Sequence, residues 1–216
     1  TQRLHRNFIV DNRPGANAII GADIVAKAAG DGYTLLFAGN TTHAGNPALY
    51  QTLPYDPVRD FTPIARGVTA LNVLVVHPSL PVKSVKDLIA LAKSKPGAIG
   101  FAGSGSGSTP HLAGELFKSM TQTRMEHVPY KGSGPAIIDL LGGHVDIGFE
   151  SIPGVLDHIR AGKLRAYAVA TPSRLDTLPD VPTFKELGMA EFVAQPWFAI
   201  LAPAGTPKTV VDKLSA

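Results

Sequence analysis

The stretch that decides the fold runs from Ala98 to Met120 and reads "AIGFAGSGSGSTPHLAGELFKSM". It begins with an apolar run of strand length, continues through a glycine- and serine-rich loop, and ends in a predicted helix from Pro110 to Met120. Pro110 suits the first helical position and Thr109 suits the cap before it. The helix amides then point back toward the loop, with the positive end of the helix dipole behind them. This order predicts an anion-binding loop on an α/β fold.

The same strand-and-helix unit recurs along the chain. Further strands are predicted at 7–10, 33–38, 71–78, 126–130, 145–149 and 164–170. Further helices are predicted at 18–29, 84–95, 135–141 and 153–161. The alternation predicts an α/β fold with mainly parallel sheets and helices on both faces.

Composition narrows the function classes. The chain has 216 residues, 44% of them hydrophobic, which suffices for one α/β domain or two small lobes. Charged residues make up 17%, and the net charge of +3 is not concentrated in a block, so neither a nucleic-acid tail nor a polybasic membrane patch is predicted. The chain has no cysteine, starts at Thr1 and contains no apolar run long enough for a membrane span. We therefore expect a processed or trimmed soluble chain with no membrane insertion.

Loops that follow strands are the candidate binding segments, because ligands of open α/β sheets bind beyond the carboxyl ends of the strands. Four such loops are rich in glycine, serine and threonine and poor in charge, namely 39–47, 103–109, 130–134 and 150–153. The 103–109 loop is not a phosphate loop of the NTPase type, since no lysine occurs between Lys95 and Lys118.

Three interpretations of the glycine loop stay open. A dinucleotide-binding enzyme is one, because Gly103 and Gly105 follow a strand and Glu126 comes about 20 residues later. Against it, Ser108 stands where a third small glycine belongs, and Glu126 precedes the apolar part of its strand. A tight turn that uses glycine only for its shape is the second interpretation. The favoured one is a carboxylate held by amides and hydroxyls.

Other chemistry finds little support in the sequence. The seven histidines lack the helical spacing of a metal pair, and no Gly-x-Ser-x-Gly elbow occurs, so we predict neither a metal site nor catalytic residues. His111, at the start of a helix, is more typical of a residue that contacts solvent or ligand than of a general base. Glu150 ends a strand and either binds an ammonium or hydroxyl group or is solvated. Trp197, the one tryptophan, is a core residue, a pocket wall or part of a lobe crossing.

Several longer blocks resemble a known family, the Bug-type periplasmic solute receptors of tripartite tricarboxylate transporter systems. The blocks follow one another in the same order over essentially the whole chain: "NRPGANAIIGADIVAKAAGDGYTLLF", "LPYDPVRDFTPIA", "HLAGELFKSM", "HVPYKGSGPAIIDLLGGHVDIGFE", "AGKLRAYAVAT" and "LPDVPTFKELG".

The resemblance implies a two-lobed type II periplasmic binding protein fold without cofactor or enzymatic activity. It implies a periplasmic receptor that closes on a small organic carboxylate, namely a dicarboxylate, amino acid or aromatic acid, and delivers it to membrane permease subunits. Mapped onto this sequence, lobe 1 comprises 1–74 and 198–216 and lobe 2 comprises 75–197, with crossing strands near 72–77 and 196–202. A ligand-sensing domain of a signalling system would use the same closure and stays an alternative.

The matching loops imply the ligand-binding residues. Lobe 1 would contribute Asn40, Thr41, Thr42 and His43. Lobe 2 and the crossing would contribute Ser104, Gly105, Ser106, Gly107, Ser108, Thr109, Tyr130, Lys131, Glu150 and Trp197. Lys131 would neutralise a second carboxylate or simply be solvated. Family members begin with a strand, a Gly/Pro-rich loop and a helix and end with further helices, so the resemblance implies truncation at both ends and an incomplete set of site residues.

Overall fold

The computed structural model of the chain describes residues 6–215, whose strands form two sheets. The strands are β1 Leu36–Gly39, β2 Phe61–Thr69, β3 Asn72–Val76, β4 Gly100–Gly103, β5 Glu126–Pro129, β6 Ile147–Ser151, β7 Arg165–Val169 and β8 Trp197–Pro203. The α-helices are α1 Ile19–Ala26, α2 Asn46–Leu49, α3 Val85–Ser94, α4 Thr109–Thr121, α5 Ser133–Leu141, α6 Ile152–Arg160 and α7 Lys208–Ser215.

The small sheet has three strands in the order β1-β8-β2, and both of its pairings are antiparallel. Helix α1 packs against one face through Ala22 and Val25, and Leu36, Phe61 and Leu201 from the three strands complete this core. β8 lies in the centre, so the small sheet depends on a strand that comes back from the other half of the chain.

The large sheet has five strands in the order β5-β4-β6-β3-β7. β4 pairs in parallel with β5 and β6, whereas β3 runs antiparallel between β6 and β7. The α/β fold is confirmed, but the expectation of mainly parallel sheets is wrong. β4, β5, β6 and β7, which are joined in turn by α4, α5 and α6, point the same way, as predicted. β3 lies between β6 and β7 and runs against them, although α3 joins it to β4.

Helices cover both faces of the large sheet, as predicted. On one face, α3 and α4 pack against Leu74, Phe101 and Phe149. On the other face, α5 and α6 pack against Val73 and Ala102. The alternation of side chains along each strand sends successive residues to opposite faces, and the buried pattern of β3 and β6 reflects burial on both sides.

The chain passes between the sheets twice, and the two passages lie side by side. The amide of Ala70 donates to the carbonyl oxygen of Pro196 at 2.8 Å. All of β3 pairs within the large sheet, so the predicted boundary after Leu74 would divide one strand. The change of sheet instead falls between Thr69 and Asn72 and just before Trp197. Residues 1–5 and Ala216, assigned to lobe 1 by the resemblance, lie outside the described residues.

Two local predictions are wrong, and one strand was missed. Residues 7–10 form no strand, and Ile9 and Val10 are 90% and 83% exposed, because a strand needs a neighbour to pair with. The segment predicted as a loop at 39–47 contains a π-helical turn at Thr41–Gly45 followed by α2. β2 was not predicted, since Pro63, Arg66 and Gly67 interrupt its pattern. Within residues 6–215, every helix is too short to cross a membrane.

Candidate functional site

Two loops meet beside the chain crossing. Gly39, the last residue of β1, pairs with Phe198 near the start of β8, which places the following loop next to the crossing. In the large sheet, the last residues of β4 and β6 and the first residues of β3 lie at the same end of the strands. The side-chain amide of Asn40 donates to Thr109 Oγ1 at 3.0 Å, so the loop after β1 contacts the loop after β4. We call 39–46 together with Asn17 the first wall, and 103–111, 130–133 and Glu150 the second wall.

The first wall is held together by side-chain hydrogen bonds. Asn46 is fully buried. It accepts from Asn17 Nδ2 at 2.7 Å and donates to the backbone oxygen of Asn17 at 3.0 Å. The Tyr55 hydroxyl donates to the backbone oxygen of Thr42 at 2.9 Å. These bonds tie the π-helical turn to α2 and to the segment before α1, and single-turn π-helical segments are frequent at functional sites.

Two predicted ligand-binding side chains of the first wall, Thr42 and His43, contact each other, and His43 Nε2 is buried with no hydrogen-bond partner among the described residues. The Thr42 hydroxyl donates to the backbone oxygen of Gly39 at 3.0 Å and lies 2.8 Å from His43 Nδ1. The His43 ring contacts Phe61 edge-on, with centroids 5.0 Å apart, and lies 6.4 Å from the Trp197 ring. Burial lowers the pKa of His43. Asn40 and Thr41 are half-buried, and Asn40 contacts the opposing wall at Thr109.

At two positions the second wall presents bare backbone. Gly105 and Gly107 adopt φ values of 124° and 83°, which a residue with a side chain rarely adopts. A Cβ on Gly107 would lie 2.4 Å from Leu49 Cδ1 and 3.0 Å from Asn17 Nδ2. The absence of a side chain at Gly107 is therefore what allows the first wall to approach the loop this closely.

The helix after the glycine loop starts one residue earlier than predicted. Ser108, not Thr109, is the cap, and its hydroxyl accepts from the amide of His111 at 3.5 Å. Ser108 is buried, whereas Ser104 is half-buried and Ser106 is exposed. Of the loop hydroxyls, those of Ser104 and Ser106 thus remain more accessible to a ligand.

The remaining predicted residues of the second wall differ in placement. The Tyr130 hydroxyl donates to Asp139 Oδ2 at 2.9 Å, and burial together with that carboxylate raises the pKa of Tyr130 to about 12. Lys131 is exposed. Glu150 is only 1% exposed, and its Oε1 has no hydrogen-bond partner among the described residues. Burial raises the pKa of Glu150 to about 7, against a hydrogen bond from Ser133 that lowers it.

Sequence reasoning missed Asn17, Asn46 and Ser133, which contact predicted site residues. One signal was present: "RPGANA" contains turn-forming residues before a helix. There Ala16, Asn17 and Ala18 adopt positive φ values of 45°, 53° and 64°. Three successive residues with side chains in this region are strained, and such strain is concentrated at functional sites.

The nucleotide-binding alternative does not match the geometry. Glu126 starts β5 and pairs with Gly100, at the far end of the strand from Gly103. The acid of a dinucleotide site belongs at the carboxyl end of its strand, beside the glycine loop. Glu126 therefore lies at the opposite end of the strands from the glycine loop, where it could not contact a nucleotide bound there.

An open surface depression of about 450 Å³ lies elsewhere, along 47–60. Asp56 and Asp60 contribute two negative charges there, and Arg59 already binds Asp56 at 2.7 Å. This depression is therefore unsuited to a carboxylate.

Comparisons with known proteins agree on one family. Residues 1–216 match the family described as tripartite tricarboxylate transporter family receptor. The chain is 46% identical over 210 residues to protein BugT of Bordetella pertussis, and the match covers 96% of this chain and 64% of BugT. The chain thus spans less than two thirds of that relative.

Solved structures show the same fold. R. palustris Rpa4515 with adipate has a TM-score of 0.92 and 41% identity, covering 96% of this chain and 69% of that one. MatC from Rhodopseudomonas palustris with bound malate has a TM-score of 0.87 and 34% identity, covering 93% and 68% of the two chains. The predicted two-lobed periplasmic binding protein fold is confirmed by these similarities.

Proposed function

The chain belongs to the tripartite tricarboxylate transporter receptor family, and on that premise we propose that it binds a small organic carboxylate between its two walls. The family consists of receptors and not of enzymes, so the bound molecule is released unchanged. The observation that carries the proposal is the contact between the glycine loop and Asn40 across the chain crossing.

The second wall has the chemistry of a carboxylate site. With Gly105 and Gly107 at positive φ, the amides of 104–106 would form a concave donor surface, and the adjoining helix would add the positive end of its dipole. Ser104, Ser106 and Thr41 would add hydroxyl donors. A carboxylate held this way needs no cation, because hydrogen bonds to an ionised acceptor are about twice as strong as neutral ones.

The relatives support a dicarboxylate as the first class to test. Adipate is bound in Rpa4515 and malate in MatC, both of which share more than 30% identity with this chain. Amino acids and aromatic acids are the other classes we consider, since a few loop side chains would distinguish them. We propose the periplasm as the location and the permease subunits of the transporter as the partners, because the family is defined by that system.

The ligand would bind at the interface of two lobes that close around it. We propose that one lobe contains 6–69 and 197–215 and that the other contains 72–195, each built on its own sheet. The hinge would then lie at 70–71 and at Pro196, where the two passages of the chain are joined by the hydrogen bond from Ala70. Hinges of this kind consist of a few residues at the ends of secondary-structure elements.

A thermal-shift screen of the full-length protein tests ligand binding. The panel pairs adipate and malate with their neutral diamides and adds acidic amino acids, aromatic acids, sugars and a nicotinamide nucleotide. A ligand at 100 times its dissociation constant should stabilise the protein by about 2.7 kcal/mol. Stabilisation by an acid but not by its diamide supports the proposal. Stabilisation by sugars or the nucleotide alone would overturn it.

Delivery to the permease needs a separate measurement. We expect uptake of the radiolabelled acid in cells that contain the permease subunits and the receptor, and loss of uptake when the receptor gene is deleted. Uptake that persists after deletion of the receptor gene would mean that ligand binding by the receptor is not needed for transport.

A further inference from the structure

Three aromatic rings are stacked beneath the glycine loop. Phe101 from β4, His127 from β5 and His111 from α4 lie in contact, and the two histidine rings are only 4.0 Å apart between centroids. Gly103 leaves room for this arrangement, since a Cβ there would lie 2.2 Å from His127 Nε2. That nitrogen is buried and has no hydrogen-bond partner among residues 6–215. A protonated His127 would therefore be a charge without a partner.

His111 connects the stack to the loop. Its Nδ1 accepts a hydrogen bond from the amide of Gly107 at 2.9 Å. An imidazole nitrogen that accepts a backbone N–H carries no proton, so His111 is neutral with its proton on Nε2. Gly107 is the residue whose missing side chain admits the first wall. The histidine thus holds the loop at its point of contact with the opposite wall.

The surroundings favour the neutral form of both rings. Burial lowers the pKa of His111, and Glu115 and Lys118 on the same helix have opposing effects on it. The pKa of His127 is lowered to about 4, mainly by burial and to a smaller extent by the nearby His111. Glu115 gives little compensation, because its Oε1 lies 3.9 Å from His111 Nε2 and 2.8 Å from Lys118 Nζ. The positive end of α4 also disfavours an imidazolium at its start.

We infer that His111 is a positioning residue for the glycine loop, and that uptake of a proton by the His111–His127 pair releases the Gly107 amide and loosens the carboxylate site. Protonation of His111 Nδ1 turns this acceptor into a donor, which then faces the N–H donor of Gly107. Protonation of both rings places two positive charges 4.0 Å apart. The effect on ligand affinity rests on the proposed function, whereas the contact between histidine and loop does not.

Nuclear magnetic resonance tests that contact without any ligand. In the full-length protein, we expect His111 Nδ1 to have the shift of an unprotonated acceptor at about pH 8. On titration to about pH 4, the Gly107 amide should shift with the same midpoint as His111. A proton on Nδ1 at about pH 8, or a Gly107 amide that ignores the histidine titration, would overturn the inference. The wild-type titration decides this point even if a variant folds poorly.

Two variants of His111 distinguish the effect of its hydrogen-bond acceptor from the effect of its aromatic ring. His111→Asn supplies a carbonyl oxygen near the position of Nδ1 but cannot titrate, whereas His111→Phe keeps a ring and supplies no acceptor. One hydrogen bond is worth about 0.5–1.5 kcal/mol, so H111F should bind adipate or malate about 2- to 10-fold more weakly than H111N at about pH 8. A purely structural ring would instead favour H111F over H111N.

The pH profile supplies the remaining test. Between about pH 6.5 and about pH 4, wild-type affinity should fall about 2- to 10-fold more than that of H111N. Titration of the probe's own carboxylates is common to both proteins and cancels in this comparison. Parallel profiles would overturn the proton-linked release. If neither acid binds the wild type at any pH, the choice of ligand in the proposed function fails, while the resonance titration still decides the role of His111.

Discussion

β1 and β4 end in the same tripeptide and lead into opposite walls. Phe37-Ala38-Gly39 ends the strand before the first wall, and Phe101-Ala102-Gly103 ends the strand before the second. In both strands the alanine is buried. The phenylalanines differ: Phe37 is 62% exposed and stacks on Phe198, whereas Phe101 is fully buried beneath α4. The same tripeptide thus occurs in the small sheet, which a helix covers on one face, and in the large sheet, which helices cover on both faces.

The loops that follow differ more. The first wall is fixed by amide and hydroxyl side chains, with Asn46 at the centre of its hydrogen bonds. The second wall is glycine-rich backbone supported by titratable groups, namely His111, His127 and Glu150. From these contacts we expect the first wall to be the more rigid surface and the second wall to be the one that responds to pH.

The largest expected effect concerns Glu150, a buried acid of the second wall. Its folded pKa of about 7 lies above its ordinary value of 4.5, so the folded protein binds a proton more tightly than the unfolded chain. The stability that this provides is complete below pH 4.5 and is lost as the pH rises through 7. Glu150→Gln stays neutral, so its stability relative to wild type should rise by about 3 kcal/mol between pH 4.5 and about pH 8, measured by urea unfolding.

Glu186→Gln is the matched control, because it should change stability in the opposite direction. The backbone amide of Thr183 and the side chain of Arg174 lower the pKa of Glu186, so the charged form is the favoured one in the folded protein. E186Q should therefore lose stability relative to wild type as the pH rises. If E150Q and wild type keep a constant difference across the range, the second wall contains no titrating acid.

The next effect tests how tightly the second wall is packed. A methyl group in Gly103→Ala would lie 2.2 Å from His127 Nε2 and 2.9 Å from its Cδ2, and the ring cannot move away without leaving the stack. Overpacking of this kind costs about 1–3 kcal/mol. Gly134→Ala is the control, because a Cβ there meets nothing within 4 Å. Equal unfolding free energies for the two variants would mean that His127 moves freely.

Much of the second wall could be predicted from the sequence, whereas the first could not. The β4–loop–α4 unit is local, so periodicity and capping locate it, with an error of one residue at Ser108. Residues 39–47 suggested a polar loop, but contacts with Tyr55 and Asn17 fold it into helical turns. The Asn17–Asn46 bond joins residues 29 positions apart, and the two stacked histidines come from different elements. No local pattern encodes such pairings.

The burial of Glu150 was also beyond the sequence. Its position at a strand end suggested a group facing a pocket or solvent, and both interpretations assumed access to water. The structure instead places it under the start of α5, near Ser133. The end of a strand is exposed or buried according to the loop that folds over it, and that loop comes from another part of the chain.

The smallest expected effect tests the rigidity of the first wall. Tyr55 is 5% exposed, and Tyr55→Phe removes the hydroxyl that donates to the backbone oxygen of Thr42 without creating a cavity. The loss of this bond should lower the free energy of unfolding by about 1 kcal/mol. Tyr33→Phe, at a position that is 82% exposed, should stay within about 0.5 kcal/mol of wild type. The Y55F deficit should be the same at about pH 5 and about pH 8, because no charge is involved. A deficit that varies with pH would mean that His43, which lies 2.8 Å from Thr42 Oγ1, couples the first wall to protons as well, and the contrast between the two walls would then be wrong.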